Sequence, residues 1–115
     1  MNDTDIPILK KSYDLYKLLY DCRKHVPKQD RYAMWQHCEV MTLAVIECLL
    51  SASQTPRKDK LPILEQASLK LNLLRVFVRL AKELHIIDSK KYVCIQVDID
   101  EMGKMLGGWI RTTKE

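Results

Sequence analysis

Residues Tyr92 to Thr113 read YVCIQVDIDEMGKMLGGWIRTT, and two secondary structures compete for the first half of that stretch. Val93, Ile95, Val97 and Ile99 alternate with their neighbours at the period of a half-buried strand. Tyr92, Ile95, Ile99, Met102, Leu106 and Trp109 recur at threes and fours instead. That helical pattern persists for about five turns, well past the point where the alternation stops. A single strand would have no partner here, so a helix is expected, capped by Asp88 or Ser89 and running to about Thr113.

The same stretch holds all three glycines of the chain, Gly103, Gly107 and Gly108. One reading is a phosphate-binding loop, but that motif needs GxxxxGK[ST] between a strand and a helix. In GKMLGG the lysine comes too early and no serine or threonine follows it. The other reading is close packing. Gly103 and Gly107 lie four apart on one helix face, where a neighbouring helix or an aromatic ring can approach the backbone. Such a contact would have to offset about 0.5–1 kcal/mol per glycine relative to alanine.

Working back from this helix, Leu61 to Ile87 forms another. Glu65, Ser68, Asn72, Arg75, Arg79 and Lys82 make a narrow polar stripe along it. Nearly every other position is apolar, from Leu64 to Leu84, so this helix has to be covered on most sides. Three other helices cannot do that in a chain of this size, and burial of part of the surface by another subunit is expected. Before it, SQTPRKDK reads as a polar loop, and a second helix capped by Asp30 is expected to run to about Ser53 with Met34, Cys38, Met41, Val45, Cys48 and Ala52 on its apolar stripe. The first helix is expected from Ile6 to His25, capped by Asp5, with Leu9, Tyr13, Tyr16, Leu19 and Tyr20 as its periodic positions. Four helices joined by short loops imply an all-α fold, an up-down antiparallel four-helix bundle occupying residues 1–115 as one domain.

Composition agrees. The 115 residues are 47% apolar and 30% charged, which suits a globular protein and excludes a disordered one. The most apolar run, Val40 to Ala52, contains Thr42, Glu47 and Ser51 and is too short to span a bilayer. MNDTDIPILKK carries acids where a signal peptide has bases, so a cytoplasmic location and no membrane partner are expected. Cys22, Cys38, Cys48 and Cys94 form no CxxC pair and are expected to be small buried residues.

No catalytic set, metal site or cofactor is expected. The three histidines fall on three helical segments, and Glu-x-x-His pairs of di-iron bundles do not occur. Asp98, Asp100 and Glu101 fan around a helix as a solvated face would. The charge of +4 sits wholly in the second half: residues 54–115 hold twelve bases and eight acids, while residues 1–53 hold seven of each. Arg75, Arg79 and Lys82 project together at i, i+4 and i+7, either as a solvated face or as a cationic stripe for phosphates, extended by Lys104 and Arg111. No aromatic-interleaved basic motif suggests base readout, so any nucleic-acid binding is expected to be sequence-tolerant.

LLRVFVRLAKEL, Leu73 to Leu84, and DEMGKMLGGWIR, Asp100 to Arg111, together resemble a known four-helix-bundle family. It comprises accessory variability determinant proteins of diversity-generating retroelements and proteins encoded in intervening sequences of bacterial ribosomal RNA genes. DRYAMWQHCE, starting at Asp30, is similar to the family's second-helix opening, and the late motifs look closest to the accessory variability determinant branch. The resemblance implies a basic homopentameric barrel, not an enzyme, that binds a reverse transcriptase and RNA or DNA in support of mutagenic retrohoming. It assigns Arg75 and Arg79 to cationic contacts, and Gly103, Leu106, Gly107 and Trp109 to helix packing and assembly. Five copies would carry roughly +20, enough to attract a polyanion. The ribosomal intervening-sequence branch implies instead a structural protein-interaction module.

Overall fold

A computed structural model describes residues 6–115. The helices are α1 (Ile6–Cys22), the one-turn α2 (Lys28–Arg31), α3 (Met34–Ser53), α4 (Arg57–Glu83) and α5 (Ser89–Lys114). A 3₁₀ turn, Arg23–His25, continues α1. The described residues contain no strand, so YVCIQVDID resolves as helix. Ile95 and Ile99 point into the core, and Val93 and Val97, two residues out of phase, are exposed. The four long helices form a closed ring in which α3 packs on α1 and α4, and α5 packs on α4 and α1. The result is an elongated four-helix bundle measuring 44 × 22 × 19 Å.

The core is built from stripes at threes and fours on each helix. α1 contributes Ile8, Leu15, Leu19 and Cys22; α4 contributes Leu64, Ala67, Leu71, Leu74, Val78 and Ala81; α5 contributes Ile95, Ile99, Met102 and Leu106. Trp35 of α3 is the largest fully buried side chain, and its Nε1 donates to the Leu19 carbonyl of α1 at 2.9 Å. The bond satisfies the indole while its rings fill the space between the two helices. Glu39 is buried beside it, and its carboxylate accepts two hydrogen bonds from the Arg23 guanidinium, whose pKa that contact raises.

Several boundaries differ from those expected. Tyr13 and Tyr20 do not join the α1 core stripe; both are exposed, and Ile8 and Leu15 take the buried positions. Asp5 lies outside the described residues. Asp30 does not cap a continuous second helix but sits inside α2, whose cap position is Pro27. α2 is held by Arg31, which donates to the carbonyls of Val26 and Lys24 at 3.0 Å each, and the chain breaks at Ala33 before α3 starts. α4 begins at Arg57, because Pro56 presets the entry that SQTPRKDK had suggested was loop. It ends at Glu83 in a Schellman turn: the Ile86 amide donates to Ala81 at 2.8 Å, with His85 in the left-handed region at φ 61. The α5 cap is Asp88, whose carboxylate accepts from the Lys91 amide at 2.8 Å and is thereby held below its ordinary pKa.

The cysteines divide. Cys22 and Cys38 are buried, Cys48 is half-buried, and Cys94 is exposed, contrary to the expectation for all four. Burial pushes the Cys38 thiol up to about 12 and raises Cys22 and Cys48 as well. Among the described residues no three His, Cys, Asp or Glu side chains converge as a metal site would require. No described helix is long and apolar enough to cross a membrane.

Candidate nucleic-acid interface

The groove between α4 and α5 holds most of the cations singled out from the sequence, and their surroundings are more occupied than spacing alone indicates. Arg75 reaches across from α4 to α5. Its Nη1 donates to Asn72 Oδ1 at 2.9 Å, and its Nη2 forms an ion pair with Asp100 at 3.1 Å. Asp100 also accepts from Gln96 Nε2 at 3.2 Å, so four residues of two helices share one polar network. Arg75 Nε and Gln96 Oε1 are buried there without a partner, the one a donor and the other an acceptor.

Gly103 belongs to this network. A Cβ placed on it would stand 3.3 Å from Arg75 Nη2, so its missing side chain lets the guanidinium lie across α5. The close approach expected at this glycine comes from an arginine, neither a helix backbone nor an aromatic ring. At Gly107 an added Cβ meets nothing within 4 Å, so this glycine does not pack against a helix of its own chain, and the same holds at Gly108. Leu106 is a buried core residue of the bundle. Trp109 is half-buried, with Lys60 Nζ 5.4 Å from its ring centre, which lets the lysine lie buried over an aromatic face.

Arg79 and Lys82 complete the α4 stripe. Arg79 is widely exposed and pairs with Glu83 at 3.2 Å, one turn along its own helix. Lys82 Nζ sits 5.0 Å from the Tyr92 ring centre. Lys104 and Arg111 are exposed on the outer face of α5, seven residues apart, and neither makes an ion pair among the described residues. The structure thus brings Arg75, Arg79 and Lys82 together along one groove but engages each internally. The cations with least to hold them are Lys104 and Arg111. Asn72 lies one turn from Arg75 on α4 itself, whereas the partners Asp100, Gln96 and Tyr92 depend on the axial register of α4 against α5, which no local pattern specifies.

Opposite its buried face, α4 exposes Leu69, Leu73, Val76 and Leu80, continued by its C-cap residue Leu84, all between 38% and 60% accessible. Their spacing makes a continuous ridge about 22 Å long. The sequence profile of the bAvd-like family, for bacterial accessory variability determinant-like proteins, matches residues 6–113. The chain belongs to the bAvd-like family. Its fold is shared with a solved structure described as a protein of unknown function from the S23 ribosomal protein family of Bacteroides thetaiotaomicron VPI-5482. That structure matches with a TM-score of 0.84 at 21% identity, over 94% of the bAvd-like chain and 98% of its own. A comparison with curated proteins finds no match.

Proposed function

We propose that this bAvd-like chain is a non-enzymatic accessory protein of a diversity-generating retroelement, of the accessory variability determinant branch. It acts in the cytoplasm as a homopentamer that holds the element's reverse transcriptase together with RNA or DNA, and so supports mutagenic reverse transcription and retrohoming. The observation that carries this reading is the family match across nearly the whole bundle. Assembly is supported by the α4 ridge, because five aligned exposed aliphatic side chains form a larger apolar strip than scattered surface residues make. Nucleic-acid contact is supported by the exposed cations Lys104 and Arg111, which repetition around an oligomer would multiply.

Sedimentation at micromolar concentration tests the assembly. Leu73→Lys with Leu80→Lys should release folded monomers, and a wild-type chain that already sediments as a monomer refutes the oligomer. Lys104→Glu with Arg111→Glu should weaken retention on nucleic acid in a salt-dependent manner; unchanged retention at low salt refutes that part. A second reading, a bundle that binds protein alone, is favoured by the internal engagement of Arg75, Arg79 and Lys82. Added salt separates the two, because phosphate contacts weaken steeply with salt and apolar contacts do not.

A further inference from the structure

α1 carries a second seam that the core does not use. Lys10, Tyr13, Lys17, Tyr20 and Lys24 follow one another at spacings of three, four, three and four, alternating cation and phenol ring. All five are exposed, Tyr13 at 45% and Tyr20 at 60%. The buried stripe of the same helix, Ile8, Ser12, Leu15, Leu19 and Cys22, faces the other way. Four of the five tyrosines of the chain gather here: Tyr16 lies beside Tyr20 with ring centres 6.5 Å apart, and Tyr32, 71% exposed, lies under the Arg23 guanidinium at 5.6 Å. None is needed to fill the core.

The lysines of the seam are also unspent. Lys11, one residue off it, is tied to Glu101 at 2.6 Å and Asp98 at 3.6 Å on α5, which raises its pKa. Lys10, Lys17 and Lys24 make no ion pair among the described residues. Asp14 and Asp21 stand seven residues apart on one flank and temper the local field; Asp21 and, at the end of the seam, Lys24 both line the hollow between α1 and α5. Long-range charge attraction is therefore modest here, and the exposed rings are the distinguishing feature.

We infer that this face of α1 is a stacking platform for single-stranded nucleic acid. The polymer alternates base and phosphate, and the seam alternates ring and ammonium over about 21 Å, with Tyr13 and Tyr20 about 10 Å apart. Any base can stack on a tyrosine face, so the platform is sequence-tolerant. A duplex keeps its bases stacked and offers no free base face, so the rings select single strands over duplexes. The inference rests on the reading of the chain as a nucleic-acid binder, but it uses a different face from the α4–α5 cations.

Fluorescence anisotropy with a short labelled oligothymidylate, and with a duplex of the same length, tests it on the full chain. Tyr13→Ala with Tyr20→Ala should weaken single-strand binding about 25-fold or more, at least about five-fold per ring, and leave duplex binding unchanged. Tyr13→Phe with Tyr20→Phe should stay within about twofold of wild type, because the ring and not the hydroxyl does the stacking. Lys10→Gln, Lys17→Gln and Lys24→Gln together should lower the logarithmic salt slope by about 2. Wild-type single-strand affinity in the double alanine variant overturns the inference, as does an equal loss in the phenylalanine variant. So does a fall in thermal midpoint matching that of a core substitution, since the rings would then be structural. A chain that binds no nucleic acid refutes the proposed function along with it. Binding that depends on Lys104 and Arg111 but is indifferent to the tyrosines refutes only the platform.

Discussion

Replacing Gly107 and Gly108 together by alanine should stabilise the protein. Both lie inside α5, both have negative φ, and an added Cβ at either meets nothing within 4 Å. Alanine then removes backbone freedom from the unfolded chain with no steric penalty in the folded one. An interior helical glycine costs about 0.8–1 kcal/mol relative to alanine, and positions nearer a helix end cost less, so the pair should gain about 1–2 kcal/mol. For a domain of this size that is a rise in melting midpoint of about 4–8 °C. Gly103→Ala provides the contrast. Its Cβ would stand 3.3 Å from Arg75 Nη2, so the guanidinium has to yield part of its contact with Asp100, and the net change should stay within about 0.5 kcal/mol. Thermal and urea unfolding followed by circular dichroism, repeated across protein concentrations, reads both variants. A double variant that melts below wild type, by a margin that grows with concentration, refutes the reasoning. The bare backbone at Gly107 would then be seated against another copy, which is the role the sequence had suggested for it.

Three further outcomes are expected. Trp35→Phe removes an indole that is fully buried and bonded to the Leu19 carbonyl, and should cost about 2–4 kcal/mol by urea unfolding. His85→Gly relieves the left-handed conformation at the end of α4 and should gain about 1 kcal/mol with an unchanged denaturant slope. Asp88→Ala removes the α5 cap and should lower the melting midpoint by a few degrees at neutral pH. Because the folded-state pKa of Asp88 is depressed, the cap contributes above the ordinary value of 3.8. That contribution fades as pH falls through the lower folded value, so the melting curves of variant and wild type should converge in acid.

The helical reading of Tyr92 to Thr113 held because its three-and-four pattern outlasts the alternation, and Ile95 and Ile99 satisfy both periods at once. The break at Tyr32 and Ala33 was not legible: no glycine or proline marks it, and it depends on Arg31 reaching back to carbonyls before α2. Tyr13 and Tyr20 share the helical period of apolar residues, and it is Ser12 and Leu15 that mark the buried line of α1. That phase puts the alternating lysines and tyrosines on the opposite, exposed side. At the candidate interface the residue types of Arg75, Arg79 and Lys82 were evident, but their pairing with Asp100, Glu83 and Tyr92 was only partly so. Glu83 lies one turn from Arg79 on the same helix, whereas Asp100 and Tyr92 come from another helix whose axial offset no local pattern specifies.

The two opposed seams of α1 also bear on how that helix settles during folding. The rings of Tyr13 and Tyr20 give the outer face apolar surface of its own, though less than the buried line of Ile8, Leu15, Leu19 and Cys22. Lys10, Lys17 and Lys24 add to the bias of that line, because rolling α1 by half a turn would bury three ammonium groups without partners. The lysines therefore help fix the roll angle of α1 from the solvent side, without touching the core they protect. Exchanging all three for leucine should leave the helix intact but give it two competing orientations, visible as doubled resonances for the Trp35 indole, whose partner carbonyl on Leu19 would turn away in one of them.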